Sequence, residues 1–302
     1  MQSSSRLGTY ALLLVMPLFF VSNLIIGRAV TNAVEPATLA FWRWFLASLV
    51  LLPFAWRGLI QHSAAFRNLW RELLWLGVLG MVVCGAGVYL SLRYTTASNA
   101  ALIYSSSAIS IVVLEAIFFR EKLSAARLAG TLIGFAGVAV IILHGELSRL
   151  ITWQFNIGDI GIAICAFAWA IYSLILKRKE IKAIPILPMF AAITLAGSLT
   201  LAPFMLYEFV ALGAFPRGNE QWIAILALAS FPSVVAFGFY QILVKRAGPS
   251  LTGMSLYLLP AYGAALAVLT LGEQLYAYNA IGFALVLGGI LLATEPFKKR
   301  PS

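Results

Sequence analysis

Residues 121–137 read EKLSAARLAGTLIGFAG, and residues 273–289 read EQLYAYNAIGFALVLGG. The two stretches share the pattern Glu-x-Leu-x6-Gly-x6-Gly at an interval of 152 positions. Self-similarity at a fixed interval is typical of a chain built from two copies of one structural unit. The general likeness of apolar helices is the competing explanation, but it would match leucine with leucine rather than glutamate and glycine with themselves. The pattern therefore favours an internal repeat.

The openings of the two halves also align, at an interval of 150 positions. Gly8 then falls on Gly158, and Arg28 falls on Arg178. We therefore expect a first repeat over residues 1–149 and a second repeat over residues 150–302.

The composition places both repeats in a membrane. The 302 residues are 62% hydrophobic and 11% charged, whereas soluble domains have about 45–50% apolar and about 25% charged residues. Too few polar residues remain to coat a globule in water, which excludes a secreted scaffold, a nucleic-acid-binding domain and a disordered tail.

A bilayer core requires about 20 apolar residues per helix. Ten runs meet that length, at about residues 8–27, 36–56, 73–93, 97–119, 125–143, 157–177, 185–209, 221–245, 250–271 and 275–295.

The spans define the fold class. Lipid offers no hydrogen bonds to an unpaired backbone, so apolar runs of this length are helices. Each half has five spans, and because five is odd the halves enter the membrane from opposite sides. The sequence predicts an all-α polytopic membrane protein with two inverted five-helix repeats, a plan shared by many secondary transporters.

The basic residues set the orientation. Of the 21 Lys and Arg residues, 16 lie at the termini and in the even-numbered connections, and four lie in the odd-numbered ones. Positive charge accumulates on the cytoplasmic side, so we expect a cell inner membrane protein with both termini cytoplasmic. Basic residues spread between spans do not form a nucleic-acid surface, so no nucleic-acid partner is expected.

No catalytic constellation is visible in the sequence. It contains no H-E-x-x-H, G-x-S-x-G or Walker motif. Cys84 and Cys165 both lie inside apolar runs, where they form neither a disulfide framework nor a thiolate metal site. We expect a protein that is not an enzyme and that holds no cofactor and no metal.

The motifs resemble those of one known family. Residues 35–44 resemble the P-x-x-L-x-x-x-R entry to the second helix of the EamA family, in the drug/metabolite transporter superfamily. Residues 97–124 look like the family's fourth helix with its terminal G-E-x-L-S turn, and residues 130–138 look like its fifth. One departure is Ala108, where family members often have a proline, whereas Pro260 keeps the proline in the ninth helix. The resemblance implies ten spans in two repeats and export of amino acids or related metabolites, but the departure puts a matched pair of broken helices in doubt.

Two ionisable residues lie within the spans, where insertion of a charge costs about 2.5–3.5 kcal/mol. Arg43 lies in the second helix and either packs against helix ends or attracts a substrate carboxylate. Glu115 lies near the cytoplasmic end of the fourth helix and either forms an ion pair with a basic residue such as Lys122 or Arg127, or couples transport to protons. The two residues are predicted at different depths and are not paired.

A substrate cavity is expected between the halves near mid-depth. Tyrosine and tryptophan join a flat apolar face to one hydrogen-bonding tip, which suits an amphipathic ligand, although aromatic residues also gather at the membrane interfaces. The candidate substrate-binding residues are the midspan residues with polar tips or rings: Asn23, Tyr89, Tyr104, Ser107, Trp169, Ser173, Tyr240, Tyr257 and Tyr262.

These observations favour a secondary transporter that exports small organic metabolites, aromatic amino acids foremost, with the lipid bilayer as its surroundings. The alternatives are a broad drug or nucleotide-sugar carrier, and a non-transporting intramembrane enzyme or lipid-handling subunit. The glycines near 130 and 289 permit close helix approach. They predict either contact between the fifth and tenth helices or a homodimer seam.

Overall fold

The computed structural model describes residues 2–120, 124–143, 145–146, 156–263 and 276–294. The glutamates of the repeated motif, Glu121 and Glu273, lie outside these residues, and so does the predicted repeat boundary at residue 149. Nearly all described residues are helical, and no strand occurs among them.

The first half has five spanning helices, which we number in chain order. They are α1 (Gln2–Val30), α2 (Pro36–Gln61), α3 (Trp70–Leu92), α4 (Ala97–Ser105 and Ser107–Phe119) and α5 (Ala125–Ile142). A short helix, Ser63–Asn68, connects α2 to α3. The middle of α3, Val78–Gly87, is π-helical.

The second half repeats this order. Its helices are α6 (Ile157–Leu176), α7 (Ile186–Leu212), α8 (Asn219–Ala247), α9 (from Pro249) and α10 (Ala277–Thr294). The helix α9 includes a 3₁₀ turn at Ser255–Tyr257 and is helical as far as residue 263, where its description ends. Eight helices in the described part are long and apolar enough to cross a bilayer, and α10 is a shorter apolar helix. The prediction of an all-α polytopic membrane protein is confirmed.

The helix contacts follow the two-repeat plan. The helix α3 packs on α6, and its counterpart α8 packs on α1. The pairs α2–α7, α5–α10 and α4–α9 each join equivalent helices of the two repeats. The π-helical segment of α3 also has a counterpart in α8, at Ala229–Ala236. Equivalent helices thus have equivalent neighbours and an equivalent backbone irregularity.

The contact between α5 and α10 explains the glycines of the repeated motif. A Cβ atom on Gly130 would lie 2.4 Å from the carbonyl oxygen of Gly289, and one on Gly137 would lie 2.7 Å from that of Gly282. Any side chain at these positions would push the helices apart, and in lipid such close packing replaces the hydrophobic drive for association. The glycine faces are occupied within the chain; a homodimer seam through them stays a prediction.

Polar side chains tie the helix ends together at the end of the bundle opposite the termini. The carboxylate of Glu208, near the end of α7, accepts hydrogen bonds from the backbone N–H groups of Ala37 and Thr38 at 3.0 and 2.7 Å. It thereby satisfies donors that the first turn of α2 leaves unpaired. At α6, Asn156 and Asp159 form a capping box, and Asp159 also accepts a hydrogen bond from Thr95. We call this end the opposite end, and the end with Arg57, Lys177 and Lys245 the basic end.

Candidate functional site

Arg43 lies fully buried on α2, where α1 and α3 meet. Its Nη1 donates hydrogen bonds to Asn23 Oδ1 and to the hydroxyl of Tyr89. The Tyr89 hydroxyl in turn donates to Asn23 Oδ1 at 2.8 Å. The structure therefore brings together three of the predicted site residues, which lie on three different helices.

The guanidinium of Arg43 lacks a compensating anion among the described residues. Its Nε and Nη2 have no hydrogen-bond partner among the described residues, and no carboxylate there forms an ion pair with it. Its charged carbon lies 4.7 Å from the ring centroid of Trp44 and 5.5 Å from that of Tyr89. The electron-rich ring faces give partial stabilisation to the cation. Two strong donors remain free to bind an anion.

A cluster of aromatic rings centred on Trp169 lies beside this group. Trp169 stacks on Tyr172 with ring centroids 5.0 Å apart, and its centroid lies 4.7 Å from that of Tyr240 and 5.1 Å from that of Phe237. Phe20 of α1 adds an edge contact to Trp169 at 5.7 Å. We call Phe20, Trp169, Tyr172, Phe237 and Tyr240 the aromatic cluster. It joins α1, α6 and α8, so both repeats contribute to it.

Trp44 connects the aromatic cluster to Arg43. Its ring meets Phe237 edge-on with centroids 4.7 Å apart, and its centroid lies 4.7 Å from the guanidinium carbon of Arg43. A cation with free donors and a set of flat rings therefore form one continuous buried region. In this conformation the rings pack against one another, and Trp169 and Tyr240 are at most 1% exposed.

Two further candidates lie at this cluster. The hydroxyls of Ser173 and Tyr240 form a hydrogen bond of 2.6 Å. Tyr104 of α4 approaches Trp169 with ring centroids 6.2 Å apart and is half-buried.

The remaining candidates lie elsewhere. Tyr257 packs over Gly134 and near Phe135 of α5. Tyr262 donates a hydrogen bond to the carbonyl oxygen of Leu14 at 2.7 Å. Ser107 is fully buried on α4, with no partner for its hydroxyl in the described part of the chain.

Glu115 has a separate environment at the basic end. Its Oε1 lies 2.5 Å from the ammonium of Lys177, and its Oε2 accepts a hydrogen bond from Ser250. An ion pair is one of the two alternatives for this residue, and its partner among the described residues is Lys177; Lys122 lies outside the described residues. Glu115 and Arg43 belong to different clusters, as their predicted depths implied.

The comparisons with known proteins identify the family. The sequence profile of the EamA-like transporter family matches residues 7–143 and again residues 156–294. The chain belongs to the EamA-like transporter family. It is a multi-pass membrane transporter with a small-molecule substrate, and it is not an enzyme.

Individual relatives agree with this assignment. An uncharacterized transporter of Archaeoglobus fulgidus is 27% identical over 95% of this chain and 97% of its own length. The aromatic amino acid exporter YddG of Ancylobacter novellus is 28% identical over 68% of this chain and 70% of its own. A protein of Streptantibioticus cattleyicolor named as a probable terminal-alkyne amino-acid exporter is 24% identical over 66% of this chain and 64% of its own. A solved crystal structure superposes with a TM-score of 0.71 at 25% identity, covering 93% of this chain and 95% of the other.

Four residues of this transporter's buried region are not among the candidates predicted from sequence: Phe20, Trp44, Tyr172 and Phe237. Trp44 and Tyr172 satisfied the criterion of a midspan ring with a polar tip, and each directly adjoins a selected residue in sequence. Phe20 and Phe237 have no polar tip, so that criterion could not find them. No sequence signal distinguishes them from phenylalanines that face lipid.

A groove of about 520 Å³ opens elsewhere on the bundle. It lies toward the opposite end, between α2, α3, α6 and α7, with Cys165 and Gly87 among its lining residues and the ion pair of Glu35 and Arg93 at its rim. None of the candidate residues lines it. The groove is therefore distinct from the aromatic cluster and from Arg43.

Proposed function

We propose that this transporter exports small amphipathic metabolites that carry a carboxylate, aromatic amino acids foremost, by alternating access around a midplane cavity between its halves. The proposal includes its place in the cell inner membrane with both termini cytoplasmic, as the 16-to-4 distribution of basic residues favours.

The observation that carries this proposal is the guanidinium of Arg43, whose Nε and Nη2 have no partner among the residues described, next to the aromatic cluster. A buried arginine whose Nε and Nη2 lack partners can bind a carboxylate through two parallel hydrogen bonds. Hydrogen bonds to charged groups contribute about 1.5–3 kcal/mol. The rings of Trp169, Tyr172 and Tyr240 offer flat apolar faces to an aromatic side chain. An aromatic amino acid joins both features in one small molecule.

The relatives support the same substrate class. The names of YddG and of the Streptantibioticus cattleyicolor protein both specify amino-acid export. Export as the direction is taken from these names and from the family resemblance alone.

Binding requires the packed rings to separate. The cluster joins α1 and α8 to α6, so motion of one repeat against the other would part Trp169 from Phe20 and Phe237. Inverted-repeat transporters open toward each side in turn by such motions. The π-helical segments of α3 and α8 lie at these interfaces, and π-segments often occur at functional positions.

Counterflow in reconstituted liposomes tests the substrate class. Liposomes loaded with unlabelled tryptophan should accumulate labelled tryptophan, phenylalanine and tyrosine faster than protein-free liposomes. Tryptamine, which keeps the indole ring but lacks the carboxylate, should compete at least about 10-fold less well than tryptophan, since it forgoes the charged hydrogen bonds. Uptake no faster than in protein-free liposomes contradicts the proposal. Equal competition by tryptamine supports a broad drug carrier instead, and transport of a nucleotide sugar in place of amino acids supports the other alternative.

Cysteine labelling tests the orientation. Ser63 and Gly218 lie in the α2–α3 and α7–α8 connections, and both are exposed. The native Cys84 and Cys165 are buried, so they contribute little background. In intact cells an impermeant maleimide should label Gly218→Cys but not Ser63→Cys. The reverse pattern contradicts cytoplasmic termini.

A further inference from the structure

The ion pair at the basic end uses both oxygens of one buried carboxylate. Glu115 lies one turn before the end of α4, and its side chain is 4% exposed. Lys177, which follows the last residue of α6, lies 2.5 Å from Oε1, and Ser250 in the first turn of α9 donates to Oε2. The ammonium of Lys177 also lies 4.6 Å from the ring centroid of Phe119. Three helices are therefore held at one point.

This point joins the two repeats. Glu115 belongs to the first half, whereas Lys177 and Ser250 belong to the second. The helices α4 and α9 are equivalent in the two repeats, and α6 supplies Trp169 to the aromatic cluster. A contact that fixes all three limits how far the repeats can part at the basic end.

The ion pair lies directly below the aromatic cluster. Trp169, Ser173 and Lys177 follow one another at intervals of four residues, so they lie on the same face of the α6 helix and its C-terminal end. On α4, Ser107 and Glu115 are eight residues apart and share a face with the buried Ile111. Eight residues of helix span about 12 Å. The contact of α4 with α6 runs from Tyr104, whose ring centroid lies 6.2 Å from that of Trp169, to the ion pair of Glu115 with Lys177.

The two ends of this interface differ in exposure. Toward the opposite end, Tyr104 of α4 is half-buried. Toward the basic end, Glu115 and Ser250 are each 3% exposed. The carboxylate and the ammonium therefore meet in a buried contact at the basic end.

We propose that Glu115, Lys177 and Ser250 form the gate that closes the transport pathway at the basic end. The proposal rests on alternating access as proposed above, and it assigns the closed side to specific residues. Opening the gate separates the ammonium from the carboxylate and admits water to both. Exposed ion pairs contribute only about 0–1 kcal/mol, because water solvates the separated charges. The Glu115–Lys177 ion pair is thus stable while the gate is closed and excludes water. When the gate opens, hydration of the two charges replaces most of the free energy that their separation costs. Lys177 and Ser250 act as positioning residues that hold Glu115, not as groups that touch the substrate.

The accessibility of a cysteine between the cluster and the gate tests this directly. Ser107→Cys is placed in a chain with Cys84→Ala and Cys165→Ala, and labelling by an impermeant maleimide is timed from the basic end in oriented vesicles. Lys177→Met should raise the labelling rate at least about 10-fold, and Ser250→Ala should raise it less. Glu115→Lys combined with Lys177→Glu should restore the slow rate, because the pair is re-formed with its charges exchanged.

Arg178→Met is the matched control. Arg178 is the next residue and lies at the same end, but its side chain is 46% exposed and it pairs with Glu72 and Glu180 rather than with α4 or α9. Its loss should leave the labelling rate unchanged. Equal rates for Lys177→Met and Arg178→Met overturn the gate. If Lys177→Met does not fold, the charge-exchanged variant decides: slow labelling supports the gate, and labelling at least about 10-fold faster than in the parent overturns it.

The labelling experiment is independent of the substrate. Fast labelling of the Lys177→Met variant, in a protein that transports no amino acid, would contradict the proposed substrate class and support the proposed gate. Amino-acid counterflow together with an unchanged labelling rate would contradict the proposed gate and support the proposed substrate.

Discussion

Arg43 and Glu115 are both buried charges inside spanning helices, yet their surroundings differ in one decisive respect. Glu115 has a cation and a hydroxyl, one for each oxygen. Arg43 has hydrogen bonds to neutral groups on Nη1, and its Nε and Nη2 have no partner in the described part of the chain. A charge that is compensated by the protein can hold helices together. A charge without compensation keeps its donors for an anion from outside the protein.

Substituting the paired Glu115 site and substituting Arg43 should also have different effects on the free energy of unfolding. Removing one partner of a buried ion pair leaves the other charge unpaired in a medium that solvates it poorly. Removing an unpaired buried charge relieves the cost of burying it. Substitution should therefore affect stability at one site and transport at the other.

The largest effect is expected from breaking the pair on one side. Lys177→Met should lower the free energy of unfolding by about 3–5 kcal/mol, since it leaves the Glu115 carboxylate buried without a cation. Adding Glu115→Gln should recover most of that loss. Denaturant unfolding in detergent micelles of the parent, the two single variants and the double variant measures the coupling between the sites. Additive losses in the double variant would show that the pair is not the source of the stability.

Arg43→Met should instead lower transport and leave stability nearly unchanged. The hydrogen bond between Tyr89 and Asn23 remains after this substitution, so we expect the free energy of unfolding to change by no more than about 1 kcal/mol. Counterflow of tryptophan should fall about 10- to 100-fold, which corresponds to the loss of 1.5–3 kcal/mol of carboxylate binding.

Arg43→Lys supplies the control for geometry. Lysine keeps the charge but cannot form two parallel hydrogen bonds to a carboxylate. It should therefore leave transport well below the parent level. Full transport by Arg43→Lys would argue against two-point carboxylate binding.

A smaller effect is expected from Tyr89→Phe. The substitution removes one acceptor of Arg43 and one donor to Asn23 but keeps the ring beneath the guanidinium. Of the two hydrogen bonds lost, only the one from Arg43 holds the guanidinium in place; its loss, about 1 kcal/mol, should raise the KM for tryptophan about fivefold and leave the maximal rate nearly unchanged. An equal fall in the maximal rate, with KM unaltered, would place Tyr89 in the conformational change rather than in binding.

The smallest effect belongs to the exposed pair at the basic end. Arg178→Met separates Arg178 from Glu72, whose ion pair has an N–O distance of 2.7 Å at the surface. Exposed pairs contribute about 0–1 kcal/mol, so unfolding and counterflow should both stay close to the parent values. A loss comparable to that of Lys177→Met would erase the distinction between the buried and the exposed pair.

Much of the fold could be predicted from local sequence. Runs of about 20 apolar residues predict the spans because the backbone in lipid must satisfy its own hydrogen bonds. The repeated glycines predicted either a contact of the fifth helix with the tenth or a homodimer seam, and the structure shows the first, with Gly130 against Gly289. The choice between them could not be predicted, because a small-residue face is equally suited to a neighbour within the chain or in another chain.

The site was only partly predictable. Arg43 and Glu115 were found because a charge in lipid is costly wherever it points. The partners of Glu115 were not found, since Lys177 and Ser250 are 62 and 135 positions away along the chain. Tyr257 met the same criterion as Tyr240 but lies against α5, away from the aromatic cluster.

The sequence by itself determined that the chain has ten apolar segments in two related halves, and which of its few embedded charges require an explanation. These properties depend on length, composition and local transfer energies. The tertiary structure alone decided that Arg43 has no carboxylate partner in the part of the chain that is described while Glu115 meets Lys177, and that Phe20 and Phe237 join Trp169. The reason is that residues facing lipid and residues facing protein are equally apolar in a membrane, so the pattern along a helix does not reveal which face is buried. Only the packing of the helices fixes which side chains meet.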